Sequence, residues 1–80
     1  MVAVSYDPAF RKAFEKIKDA ALRERVKKHI RKIVETPDIG KPMRYARKGT
    51  REVHVAPYRI SYAFVAGEII FLAIYHKDEQ

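Results

Sequence analysis

The segment "REVHVAPYRISYAFVAGEIIFLAIYH" (51–76) is the part of the sequence that says most about the fold. Apolar and polar residues alternate along much of it, which is typical of half-buried β-strands. Two breaks divide it, one at Ala56-Pro57 and the other at Ala66-Gly67. The pattern therefore predicts three antiparallel strands joined by two hairpins.

The register of these hairpins predicts which side chains share a face of the sheet. Proline cannot adopt positive φ, so a four-residue loop over 55–58 is favoured over a tight two-residue primed turn. An even loop length sets His54 opposite Arg59, and the next turn sets Arg59 opposite Ile74. We therefore expect His54, Arg59 and His76 to converge on one side. The other side is the expected core face, with Val53, Val55, Ile60, Tyr62, Phe64, Ile69, Phe71, Ala73 and Tyr75.

The sequence before this stretch has the apolar period of helices. Asp7 and Pro8 predict an N-cap and the first residue of a helix. Apolar residues then recur at helical spacing with basic residues between them. The first stripe contains Phe10, Ala13, Phe14, Ile17 and Ala21, and the second contains Leu22, Val26, Ile30 and Ile33. Two further segments, "VAVSY" (2–6) and "MRYAR" (43–47), have strand patterns, and "TPDIGKP" (36–42) ends the helical half.

Together these elements predict a single α+β domain over residues 1–80. Its short N-terminal strand is followed by a two-helix hairpin, which packs on one face of a mostly antiparallel, three- to four-stranded sheet. The chain has no cysteine and its acidic residues are scattered, so we expect no cofactor and no metal ion. No signal peptide or membrane span is recognisable, which predicts a cytoplasmic protein without a membrane partner.

The balance of charge is strongly basic. The chain contains 17 Lys and Arg residues against 10 Asp and Glu residues, a formal net charge of +7 on 80 residues. Such a charge attracts polyanions and raises their local concentration. It favours a nucleic acid or an acidic protein as the partner over a surface that is merely solvated.

The polar side of the predicted hairpins contains residue types suited to cutting RNA. When the 2′-hydroxyl of RNA attacks the adjacent phosphate, histidine suits the proton transfers and arginine suits the phosphate. The candidate catalytic residues are His54, Arg59, His76 and Lys77. The candidate RNA-binding residues are Arg44, Arg47, Lys48 and Arg51. A plain surface pair of His54 with Arg59, and a structural role for His76, remain the alternatives.

Two motif-bearing segments, "KPMRYARKGTREVHVAPYRISYAF" (41–64) and "IIFLAIYHKDEQ" (69–80), resemble the RelE/ParE superfamily of toxin–antitoxin toxins, especially its archaeal RelE-like members. The resemblance implies a small α+β fold and a cognate acidic antitoxin that wraps the sheet and groove, forming a toxin–antitoxin hetero-oligomer. RelE-like members cleave mRNA in the ribosomal A site, whereas ParE-like members inhibit DNA gyrase.

The resemblance also implies roles for single residues. Arg59 matches the Arg of the family's "YR" hairpin motif, which contacts the phosphate and transition state in RelE-like enzymes. His54 matches the second of two alternating basic positions, and Lys77 matches the basic residue after the last strand. Two features depart from the family's pattern: the first of those basic positions is Glu52, and a later Tyr found in many active members has no counterpart.

These observations lead to one main hypothesis and two alternatives. The main hypothesis is a toxin that acts as a ribosome-dependent mRNA endoribonuclease, with Arg59 and Lys77 on the phosphate and His54 as general base or acid. The first alternative is a ParE-like inhibitor that binds DNA gyrase. The second is a catalytically weak or non-toxic member that binds RNA or an acidic peptide.

Overall fold

The computed structural model describes residues 2–43 and 49–79. Its elements along the chain are β1 (Ala3–Tyr6), α1 (Pro8–Glu15), α2 (Ala20–Glu35), β2 (Lys41–Pro42), β3 (Thr50–Val55), β4 (Tyr58–Val65), β5 (Glu68–His76) and a 3₁₀ helix (Lys77–Glu79). Within the described ranges the strands form one sheet in the order β1-β5-β4-β3-β2. The β1–β5 pair is parallel and the other pairs are antiparallel. The predicted α+β class is confirmed, with five strands instead of three to four.

Both helices begin at an aspartate that satisfies free backbone N–H groups. Asp7 accepts a hydrogen bond from the N–H of Ala9 at 2.8 Å, so the predicted helix start is confirmed. Asp19 accepts from the N–H groups of Ala21 and Leu22, and it starts α2 after a short break in the chain. Neither helix in the described part of the chain is long and apolar enough to cross a membrane.

The two helices pack on one face of the sheet and bury most of their apolar stripes there. Because alternate residues of a strand point to the same side, each long strand contributes every second residue to this core over most of its length. The buried apolar residues are Phe10, Ile17, Leu22, Val26, Ile33, Val55, Ile60, Tyr62, Ile69, Phe71 and Ile74. The face of the sheet that points away from the helices is called the outer face below.

The two hairpin turns are both two residues long. Val55 pairs with Tyr58, and the Ala56-Pro57 peptide bond between them is cis, as in a type VI turn. The predicted four-residue loop is therefore wrong, because the strands stay paired up to Val55 and Tyr58 and leave only two residues in the turn. The second turn has positive φ at both central residues, 53° at Ala66 and 75° at Gly67, as a type I′ turn requires.

A β-bulge interrupts the pairing of β4 with β5. Ser61 pairs with Ala73, but the next residue, Tyr62, pairs with Phe71, so Leu72 is an extra residue in β5. One extra residue reverses the alternation of the strand beyond it. The side chains of β5 after the bulge therefore lie on the faces opposite to those predicted.

Four predicted positions change face as a consequence: Ala73, Ile74, Tyr75 and His76. Ile74 joins the core with 5% of its surface exposed, and Arg59 pairs with Tyr75 instead of Ile74. His76 pairs with Tyr58 on the face toward the helices. The predictions that Ala73 and Tyr75 belong to the core face and that His76 shares a face with Arg59 are wrong, because the bulge reverses the alternation of β5 beyond it.

The segment after α2 is tied to the sheet by hydrogen bonds to its backbone. The Tyr62 hydroxyl donates to the carbonyl of Pro37 at 2.7 Å and accepts from the N–H of Gly40 at 2.9 Å. The Arg51 guanidinium donates to the carbonyls of Asp38 and Gly40. A Cβ at Gly40 would lie 2.6 Å from the Tyr62 hydroxyl oxygen, so this close approach requires glycine.

β2 is a short strand at the edge of the sheet. Lys41 lies opposite Glu52, and the N–H of Met43 donates to the carbonyl of Thr50 at 3.0 Å. The predicted strand "MRYAR" (43–47) begins where β2 ends, and all of it except Met43 lies outside the described residues. Residues 53–55 extend beyond the last residue of β3 that pairs with β2.

Candidate functional site

Four polar side chains lie together on the outer face, at the end of the sheet that carries the Ala56-Pro57 turn. The register sets His54 opposite Arg59 and Arg59 opposite Tyr75. Glu52 precedes His54 by two residues on β3, so the two side chains share a face. We call Glu52, His54, Arg59 and Tyr75 the outer-face cluster.

Glu52 contacts the other three members of the outer-face cluster. The Tyr75 hydroxyl donates a hydrogen bond to Oε2 of Glu52. The other carboxylate oxygen of Glu52, Oε1, lies 3.3 Å from Nε2 of His54 and 3.6 Å from Nη1 of Arg59. Only 14% of the Glu52 side chain is exposed, against 60% for His54 and 27% for Arg59. The carboxylate is thus sheltered, and the imidazole beside it is open to solvent.

This arrangement combines the groups that phosphodiester chemistry uses. A carboxylate accepts a proton, an imidazole accepts or donates one near neutral pH, and a guanidinium binds phosphate oxygens through two parallel hydrogen bonds. Within residues 2–43 and 49–79, no group of three or more potential ligand side chains is arranged to hold a metal ion.

The structure brings together two of the four predicted catalytic residues, His54 and Arg59. His76 lies on the other face, where its ring makes a T-shaped contact with that of Tyr58 at 5.5 Å between centroids. Its Nδ1 accepts a hydrogen bond from the N–H of Asp78 at 3.2 Å. The predicted convergence of three residues is therefore wrong for His76, because the β5 bulge turns its side chain toward the helices.

The other predicted site residues lie outside the outer-face cluster. Lys77 is exposed and follows β5 at the same end of the sheet, where its N–H donates to the carbonyl of Pro57 at 3.0 Å. Arg51 is on the face toward the helices, and its guanidinium bonds the carbonyls of the segment after α2. Three predicted RNA-binding residues lie outside the described part of the chain: Arg44, Arg47 and Lys48.

Tyr75 is the member of the cluster that sequence reasoning missed. The run "IIFLAI" (69–74) is apolar at every position, so alternation within it cannot reveal that one residue is extra. In the sequence, Glu52 stands out only as a departure from the family's basic pattern. The signal for its importance was its position two residues before His54, which places both side chains on one face.

Comparison with known proteins relates nearly all of the chain to one group. A family model described as the ParE toxin of the type II toxin–antitoxin system, parDE, matches residues 4–80. No curated protein sequence is significantly similar to the chain.

Solved structures of toxin–antitoxin proteins share the fold. A chain of the intact E. coli RelBE toxin–antitoxin complex superposes with a TM-score of 0.80 at 16% identity, covering 95% of this chain and 96% of that one. A chain of the RelB–RelE complex from Methanococcus jannaschii gives 0.76 at 18% identity, with coverages of 92% and 91%. A chain of the RelBE2 complex from Mycobacterium tuberculosis gives 0.74 at 22% identity, with coverages of 95% and 98%.

Proposed function

Because the chain belongs to the ParE toxin family of type II toxin–antitoxin systems, we propose that it inhibits translation as a ribosome-dependent mRNA endoribonuclease. The outer-face cluster is the observation that carries this proposal. Holding a carboxylate at 14% exposure among other polar groups costs desolvation free energy. A role in proton transfer accounts for this cost.

In the proposed reaction, each charged member of the cluster acts on a different atom of the RNA. Glu52 accepts the proton of the 2′-hydroxyl, whose oxygen attacks the adjacent phosphorus. The bond from phosphorus to the 5′-oxygen breaks, and His54 as imidazolium donates a proton to that oxygen. The products are a 2′,3′-cyclic phosphate and a 5′-hydroxyl. Arg59 bonds the non-bridging oxygens as negative charge develops, and Lys77 adds a second phosphate contact.

The proposal includes three partners. The ribosome and its mRNA follow from the resemblance to RelE-like toxins, in which the ribosome places the substrate. An acidic antitoxin is the third partner, since the chain has a net charge of +7 and similar folds occur in RelB–RelE complexes.

Inhibition of DNA gyrase by direct protein binding is the second candidate function. The observation that favours it is the matching family model, which is named for ParE. The end of the sheet that carries the outer-face cluster would then contact a protein, and Glu52 would have no role in proton transfer. The two candidate functions predict different effects in the cell: the nuclease predicts cleaved mRNA, whereas gyrase inhibition predicts altered DNA supercoiling.

Induced expression of the toxin, followed by primer extension on cellular mRNA, separates them. We expect cuts within translated codons, and Arg59→Ala should lower their rate by about 10²–10³-fold, the effect of removing a donor to developing charge. Arg31→Ala is the matched control, because it removes the same charge from an exposed position on α2. Growth arrest with intact mRNA and altered DNA supercoiling would refute the nuclease and support the second candidate.

A further inference from the structure

A pocket of about 300 Å³ lies beside the outer-face cluster, between β3 and α2. Glu52 and His54 belong both to its lining and to the cluster. When one phosphate of a linear polymer binds Arg59, the neighbouring unit of that polymer is therefore close enough to enter this pocket. The volume lies at the lower end of the range for small-ligand sites, about 300–1,000 Å³, and suits a single nucleotide.

The lining of this pocket has an apolar part and a basic part. Val53 forms an apolar wall with the fully buried Ile33 behind it, and Ile39 extends the wall with 52% of its surface exposed. Lys32 and Lys41 are exposed cations on the same lining. An apolar wall beside two lysines matches a nucleobase next to a phosphate, because the base has an apolar face and the phosphate is an anion.

The edge of β3 adds backbone groups to the pocket. The N–H of Met43 bonds the carbonyl of Thr50, and in an antiparallel pair such bonding residues alternate. Glu52 and His54 therefore turn their backbone N–H and C=O groups toward the β2 side. Glu52 has Lys41 opposite it, whereas the register with β2 ends before His54. The backbone of His54 is thus directed at the pocket, where a ribose or base can bond to it.

We propose that this pocket binds the nucleotide next to the scissile phosphate, with its base on the apolar wall and its phosphate at Lys32 and Lys41. The inference rests on the proposed function, because it takes the position of the scissile phosphate from the outer-face cluster. It assigns single-stranded RNA as the ligand of the β3 edge. The pocket then sets which base is accepted beside the cut.

The binding test uses a 2′-O-methylated RNA trinucleotide, which cannot be cleaved because its 2′-oxygen is blocked. Methyl NMR spectra of the purified protein should show shifts at Ile33 and Ile39 on titration. The methyl groups of Ile70, which lies on the outer face near the opposite end of the sheet, should stay in place. The proposal is wrong if the trinucleotide shifts the methyl signals of neither Ile33 nor Ile39. It is also wrong if an octaglutamate peptide shifts these signals when the trinucleotide does not.

Two double variants with the same net charge test whether Lys32 and Lys41 contact the phosphate. Lys32→Ala/Lys41→Ala should weaken trinucleotide binding by about tenfold, because the lost contacts are to phosphate. Lys12→Ala/Lys16→Ala removes two equally charged, exposed residues near α1 and should change the affinity by no more than about twofold. Equal weakening of binding by both variants would mean that only net charge matters, and it would overturn the proposal that this pocket binds a nucleotide.

Failure of the proposed function gives a different result from failure of the pocket. If the trinucleotide binds as described while induced protein leaves cellular mRNA intact, the nuclease is wrong and the binding site stands. If mRNA is cut but the Ile33 and Ile39 methyl groups do not respond, the nuclease stands and the pocket is wrong.

Discussion

At the scale of single residues, Tyr75 orients the carboxylate of Glu52. The phenol donates to Oε2, which leaves Oε1 as the oxygen that faces His54 and Arg59. A carboxylate with one oxygen bonded loses much of its freedom to rotate, so the other oxygen keeps a defined direction. In the proposed reaction Tyr75 is a positioning residue, whereas Glu52 is the group that meets the 2′-hydroxyl.

Removing the Tyr75 hydroxyl should slow cleavage without weakening RNA binding. Tyr75→Phe loses a hydrogen bond to a charged group, worth about 1.5–3 kcal/mol, and we expect kcat to fall at least about tenfold while KM stays within about twofold. Cleavage of ribosome-bound mRNA by purified protein measures both constants. The control is Tyr58→Phe, which makes the same change on the neighbouring strand but on the face toward the helices. A variant Tyr75→Phe with the wild-type kcat would refute the positioning role.

Tyr62 is the residue whose ionisation should affect stability. Burial raises the pKa of its hydroxyl above the ordinary value, and the hydrogen bond from Gly40 and the charge of Arg51 oppose this only in part. The folded state therefore favours the protonated phenol, whereas the unfolded chain ionises near pH 10. The resulting stability is complete below about pH 10 and is lost as the pH rises further.

Urea unfolding at a series of pH values tests this prediction for Tyr62. The free energy of unfolding of the wild type should fall more steeply above about pH 10 than that of Tyr62→Phe. At neutral pH the variant should be less stable by about 1–3 kcal/mol, because the Pro37 carbonyl and the Gly40 N–H lose their partner. Tyr6→Phe is the control, because it removes a phenolic hydroxyl from a residue with 36% of its surface exposed. Parallel curves for wild type and Tyr62→Phe would contradict the argument.

At the scale of elements, the hairpins were predictable in number and turn position but not in every detail of pairing. The pairing of His54 with Arg59 is confirmed, because it depends only on the parity of one loop. The pairing of Arg59 depends also on the length of β5, where the extra residue Leu72 changes the partner from Ile74 to Tyr75. A bulge is set by how both faces pack, and a uniformly apolar run contains no local signal for it.

The β4–β5 turn is a point where one substitution should stabilise the protein. Ala66 has a φ of 53°, in the left-handed region. This region raises the conformational free energy of most residues, whereas Gly, Asn and Asp tolerate it. Ala66→Asn should raise the free energy of unfolding by about 0.5–1 kcal/mol, measured by urea or thermal denaturation. The same change at Ala9, an exposed residue of α1, should lower it by about 0.5 kcal/mol. A loss of stability at both sites would show that the turn gains nothing from Asn.

At the scale of the whole molecule, the net charge of +7 should make RNA binding depend strongly on salt. For three to four phosphate contacts, affinity for an uncleavable 2′-O-methylated RNA should fall about 30-fold between about 50 and about 200 mM salt. Fluorescence anisotropy over a salt series measures the slope. An oligonucleotide of the same sequence with an uncharged methylphosphonate backbone should show almost none of this dependence. A salt-independent affinity for the charged RNA would exclude phosphate contacts as the main contribution.

The features that depend on local chemistry can be predicted from the amino-acid sequence alone. Aspartates at helix starts, the apolar periods and the breaks at Ala56-Pro57 and Ala66-Gly67 indicated the α+β order of elements, and its motifs indicated the toxin superfamily. Each of these signals spans only a few neighbouring residues, so the printed sequence contains it in full.

Which side chains meet, by contrast, depends on the three-dimensional packing of the chain and is seen in the structure alone. This packing brings Tyr75 to Glu52, moves His76 to the opposite face and engages Arg51 with the segment after α2. These contacts join residues that are distant in the chain, and they depend on a bulge and on packing between layers. Face and register are decided jointly by all the strands and helices in contact, which is why no single stretch could predict them.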